Sequence, residues 1–108
     1  IKLTADRDEI AADGRDVVHL TVQVLDAQGH LVPAADDLII FDVRGPGHII
    51  GVDNGDPVSH EPFQSNQRRA FNGLCLAIAR STVEAGQIAV TASAPGLEAG
   101  RVIVKTRA

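Results

Sequence analysis

Short alternating β-branched segments, interrupted at regular intervals by turn chemistry, constrain this chain more than any other feature. Apolar stretches of 5 to 11 residues are separated by Asp13-Gly14, Gln28-Gly29, Gly45-Pro46-Gly47, Asn54-Gly55, Ala85-Gly86 and Pro95-Gly96. Each is a place where a chain can reverse. The clearest stretch is Val18 to Val24: Val18, Leu20, Val22 and Val24 share one parity, and His19, Thr21 and Gln23 the other. Period two means one side in a core and one in water. Ile88, Val90 and Ala92 alternate in the same way with Ala89, Thr91 and Ser93. Val, Ile and Thr together supply 26 of 108 residues, and these types pack well on a pleated surface. No segment carries an i, i+3, i+4, i+7 stripe longer than two turns. Strands are therefore expected at 1–5, 9–12, 17–26, 38–44, 48–53, 70–80, 87–94 and 101–106. Seven or eight strands at this spacing fit an immunoglobulin-like β-sandwich, with a small closed barrel as the alternative.

A chain of 108 residues buries roughly two-thirds of its unfolded surface and supports a single core. We therefore read residues 1–108 as one domain. The formal charge of −4 argues against nucleic acid, whose phosphates call for a basic footprint. No apolar run approaches the ~20 residues of a membrane helix. Cys75 is the sole cysteine, so neither an intrachain disulfide nor a cysteine-rich zinc cage is available. There is no Met, and Ile1 already sits inside an alternating apolar pattern, so a fragment of a longer protein is expected. Residues 1–65 sum to −8 and residues 66–108 to +4. That asymmetry either disperses when strands of the two halves interleave or forms two patches that orient the module against a neighbour.

Catalytic constellations are scarce. Ser59, His60 and Glu61 are the residue types of a hydrolase triad, but adjacent loop residues do not converge as triad members do. His19, His30, His48 and His60 lack zinc-ligand spacing. Asp53-Asn54-Gly55-Asp56 holds oxygen ligands around a glycine but lacks the terminal bidentate Glu of a calcium loop and reads as a tight turn. No cofactor or metal is expected. Sugar-stacking modules use exposed aromatics, and with no Trp or Tyr and three Phe this chain is a poor candidate.

Two segments carry the remaining information. Residues 70–80, Ala-Phe-Asn-Gly-Leu-Cys-Leu-Ala-Ile-Ala-Arg, are apolar on both parities, which marks a strand central in its sheet or covered on both faces. Leu74, Leu76 and Ile78 are the expected core side. The other side, with Phe71, Gly73, Cys75, Ala77 and Ala79, would let a second surface approach, and Cys75 reads as a small buried hydrophobe. The connection 54–69 is long and polar, with Pro57 and Pro62, and loops of that length are often functional. Its extension to residue 71 supplies the expected interdomain contact: Asn54, Asp56, Glu61, Phe63, Arg68, Arg69 and Phe71.

These residues also carry a resemblance. The segments Ile1 to Arg7, Ala12 to Asp16, Val22 to Asp26 and Gly51-Val52-Asp53-Asn54-Gly55-Asp56-Pro57 resemble the C-terminal immunoglobulin-like module of glycoside hydrolase family two β-galactosidases. Ser59, Glu61, Pro62, Phe63 and the run Arg69 to Ile78 extend the likeness over nearly the whole chain. The resemblance implies an accessory, non-catalytic sandwich beside a separate barrel that performs retaining hydrolysis of β-galactosides. That chemistry uses two carboxyl groups ~5–5.5 Å apart, and no catalytic residue carries over here. The implied partners are other domains of the parent chain, with an extracytoplasmic bacterial location. Because the alternating strands supply a core of their own, the isolated fragment is expected to be a monomer. The competing reading is an adhesin or cell-surface spacer repeat, supported by the strand and turn pattern of residues 17–33.

Overall fold

The computed structural model describes residues 1–33, 35–54 and 66–108. These form nine strands: β1 (Lys2–Ala5), β2 (Glu9–Ala11), β3 (Val17–Gln23), β4 (Leu38–Arg44), β5 (Gly47–Asp53), β6 (Gln67–Arg69), β7 (Leu74–Ser81), β8 (Gly86–Ser93) and β9 (Gly100–Arg107). They build two separate sheets, β1-β3-β7-β5 and β2-β9-β8-β4-β6. Two open sheets with four edge strands make a sandwich rather than a closed barrel. No helix among the described residues is long and apolar enough to cross a membrane.

Every pairing is antiparallel except β2 with β9, which is parallel. The chain therefore crosses from one sheet to the other between β1 and β2. The amide of Asp6 donates to the His19 carbonyl in the first sheet (3.0 Å), and the amide of Lys105 donates to the Asp8 carbonyl in the second (2.9 Å). Strands from the two halves of the sequence interleave in both sheets, so the charge asymmetry along the chain does not map onto one sheet against the other.

Alternation predicts the core well on three strands. Val18, Leu20 and Val22 on β3, Ile39 and Phe41 on β4, and Ile88, Val90 and Ala92 on β8 are buried, Phe41 being the largest fully buried side chain. Removing such side chains from water contributes about 1.5–3 kcal/mol each.

On β7 the expected parity is reversed. Cys75, Ala77 and Ala79 are buried, whereas Leu74 and Leu76 are 36% and 41% exposed and Ile78 is half-buried. Register is the cause. Val18 lies opposite Ala79, Leu20 opposite Ala77 and Val22 opposite Cys75, and directly opposed residues point to the same face. Once β3 commits its aliphatic side to the core, β7 must commit its small side.

The expected strand 70–80 is also broken. Asn72 (φ 53°) and Gly73 (φ 77°) both lie in the left-handed region, and Phe71 and Leu74 exchange backbone hydrogen bonds of 2.8 and 3.0 Å. Two central residues with positive φ define the turn that Asn-Gly favours most. This turn ends β6 in one sheet and starts β7 in the other. Gly73 has no substitute here, because a Cβ would stand 2.5 Å from the Val32 carbonyl oxygen. The short β6 was not anticipated; it lies in what reads as loop and pairs with β4 over three residues.

Candidate docking face

The outer face of the four-stranded sheet is built around β7. Leu74, Leu76 and Ile78 form its centre line, opposite Gln23, Thr21 and His19 of β3. On the other flank Asp53 stands opposite Leu76 and Gly51 opposite Ile78. The register of β5 shifts between Ile49 and Gly51, a bulge that bends an edge strand and re-aims its side chains. Gly51 brings no side chain to this spot, and a depression of about 120 Å³ results, lined by His19, Leu20, Gly51, Val52, Asp53, Leu76, Ala77 and Ile78. His19 Nδ1 sits 3.2 Å from Asp6 Oδ2 at its margin. The face thus has an apolar centre and a polar border, a combination characteristic of interface cores and rims.

Of the residues expected to form an interdomain contact, Asp56, Glu61 and Phe63 lie outside the described residues, as does the Ser59-His60-Glu61 run. Asn54 and Arg68 are buried, at 8% and 6% exposure. Asn54 Nδ2 donates to the Arg69 carbonyl at 2.7 Å, and Arg68 Nη2 lies 3.8 Å from Asp53 Oδ1. These contacts tie the end of β5 to β6. Arg69 is exposed, with Nη1 3.5 Å from the Asp36 carbonyl, and Phe71 is half-buried beside the Asn72-Gly73 turn. Cys75 is buried, its Sγ 3.9 Å from the Arg68 carbonyl.

Two larger concavities lie elsewhere. One of about 570 Å³ is lined by Phe41, Asp42, His48, Asn66 and Arg80 among others. The other, about 670 Å³, includes Asp26 and Glu98. Asp26 is engaged in its own turn, its Oδ1 accepting from the amides of Gln28 and His30 at 2.9 Å each. Among the described residues no group of three or more His, Cys, Asp or Glu could hold a metal ion.

Among the described residues, the most strongly shifted carboxylate has a structural setting. Asp16 receives both Arg7 guanidinium nitrogens (2.6 and 3.1 Å) and the amides of Ala11 (2.8 Å) and Val17 (3.1 Å). The Arg7 hydrogen bond first, then the Ala11 amide, hold its pKa down at about 2. Asp13 is lowered too, by the amides of Arg15 and Asp16. This cluster fastens the connection through which the chain changes sheets.

Fold and surface thus define a class: a β-sandwich module with an apolar outer sheet face and its tightest charge cluster committed to structure. The chain matches the model of glycoside hydrolase family 2 C-terminal domain 5 over residues 1–103 and belongs to that family. It is 47% identical over 97 residues to the β-galactosidase BoGH2A of Bacteroides ovatus, covering 90% of this chain and 11% of that protein. A glycosyl hydrolase family 2 member from Bacteroides cellulosilyticus superposes with a TM-score of 0.96 at 34% identity, over 99% of this chain and 14% of that one. The D0-D1 region of intimin superposes at a TM-score of 0.72 with 19% identity, over 98% of this chain; this shows the fold alone. The fold is thus not confined to glycosidase modules, and the family match does not favour the adhesin alternative. The chain spans 11% and 14% of the two glycosidases it matches.

Proposed function

We propose that this module is the non-catalytic accessory sandwich of a retaining β-galactosidase that hydrolyses terminal β-galactosides, with catalysis residing elsewhere in the parent chain. The identity to BoGH2A over 90% of this chain carries the reading. Its role is to position and stabilise neighbouring domains. The connection 54–71 is one place of contact: Arg69 and Phe71 are accessible there, while Asn54 and Arg68 hold its ends in shape. Alone, the module is a monomer that needs no metal for folding.

The test is hydrolysis of 4-nitrophenyl β-galactoside by the parent chain and by residues 1–108. Turnover is expected from the parent and none from the module. A parent that leaves the galactoside intact while cleaving another glycoside would overturn the substrate assignment. Hydrolysis by the pure module would overturn its non-catalytic role.

A further inference from the structure

We propose that the outer face of the four-stranded sheet is seated against another domain of the same polypeptide. That domain places an apolar side chain in the depression beside Gly51. The inference rests on the reading of this chain as one module of a larger glycosidase and adds to it a surface and an occupant.

Side-chain size on β7 is the first observation. A strand with one face in water ordinarily carries polar residues there, and an apolar run on both faces marks a strand covered on both sides. Here the larger aliphatic residues, Leu74, Leu76 and Ile78, point outward, and the smaller Cys75, Ala77 and Ala79 point into the core. Among the described residues the sandwich supplies only one of the two covers.

The other sheet provides the contrast. Its outer face along β9 carries Arg101, Lys105 and Arg107, with Ile103 as the apolar residue among them. Arg107 Nε pairs with Glu9 at 2.8 Å and Arg44 Nε with Asp42 at 3.0 Å on the same face. Charged rows of this kind are water-facing. The β7 face instead has an apolar centre bordered by His19, Thr21, Gln23 and Asp53. Its depression of about 120 Å³ offers the pocket in which interface anchors are characteristically buried.

The occupant follows from the length of chain outside the module. The glycosidases it matches are covered to only 11% and 14% of their length, so most of such a polypeptide lies outside this sandwich and is covalently joined to it. A tethered surface competes at millimolar effective concentration, far above what a free partner or a second copy reaches in dilute solution. An aliphatic or aromatic side chain from a neighbouring domain suits the depression, whose lining is largely apolar.

The test is mass-spectrometric side-chain footprinting of the full-length parent chain at a high and a low protein concentration. Leu74, Leu76 and Ile78 are expected to label at least ~3-fold less than their exposure in the module implies, as burial in an interface core demands. Ile103 and Val83, 49% and 78% exposed, serve as internal standards and should label freely. Protection that persists on dilution supports an intramolecular occupant. Labelling of Leu76 as ready as that of Ile103 overturns the proposal, and protection lost on dilution overturns it in favour of a second copy. Galactoside hydrolysis measured on the same preparation separates the two ideas. An active chain with an unprotected face sinks the docking surface alone; a chain inactive on galactosides with a protected face sinks only the substrate assignment.

Discussion

Asp16 shows how much of this fold's connectivity rests on a few side chains. Its carboxylate gathers Arg7 from the β1–β2 crossing, the Ala11 amide at the end of β2 and the Val17 amide at the start of β3. A carboxylate with a depressed pKa contributes stability that is present above its unfolded value of ~3.9. That stability is lost as pH falls through about 2. The module should therefore lose urea resistance between about pH 4 and pH 2, and Asp13, lowered in the same direction, adds to the slope. Asp16→Asn should lower the urea midpoint at pH 7 and flatten the acid limb. Midpoints measured across this pH range check the sign; an unchanged acid limb in the variant would assign the sensitivity to other groups. None of this was legible beforehand. Arg7 and Asp16 lie nine residues apart with no periodicity linking them, and they meet only because the chain changes sheets between them.

At the scale of elements, sequence was most informative where the two faces of a strand differ in polarity. On β3, His19, Thr21 and Gln23 mark the outer side and Val18, Leu20 and Val22 the inner, and on β8 the inner positions follow the same rule. On β7 both faces are apolar, and the premise that larger residues fill cores pointed the wrong way. Two other constraints decided the face. One is the register imposed by β3; the other is the Asn72-Gly73 turn, a strong short-range hairpin signal that was read as strand because apolar residues surround it. The consequence is testable by glycine substitution. Gly29 (φ 83°) has nothing within 4 Å of an added Cβ, so Gly29→Ala should cost only the left-handed penalty of about 1–2 kcal/mol. Gly73→Ala meets the same penalty plus a 2.5 Å approach to the Val32 carbonyl and should lose at least ~1 kcal/mol more. Equal losses in urea unfolding would mean that the turn relaxes and does not fix the register. Of the residues expected at an interdomain contact, Asn54, Arg68 and Arg69 take part in bonds that tie the end of β5 to β6, long-range pairings that no local pattern announces. The sheet face itself was overlooked because Leu74, Leu76 and Ile78 were assigned to the core.

For the whole molecule, the immunoglobulin-like sandwich and the family could both be read from the chain. The first rests on the spacing of turns; the second rests on the Gly51 to Pro57 and Arg69 to Ile78 segments. Fold alone does not distinguish this module from the intimin region that shares it at 19% identity. On the proposed reading, function at this scale is a matter of which surface meets the rest of the polypeptide. The two outer sheet faces give opposite answers, apolar along β7 and charged along β9. The most direct measurement is calorimetry of the full-length parent chain carrying either Leu76→Asp or Ile103→Asp, two substitutions at exposed aliphatic positions on opposite sheets. Burying an unpaired carboxylate at an interface is costly, and for a domain of about 100 residues each kcal/mol lost moves the midpoint by roughly 4–8 °C. The expected result is a clear fall in the melting temperature of this module for Leu76→Asp and little change for Ile103→Asp. Equal, small shifts for both would contradict a covered β7 face.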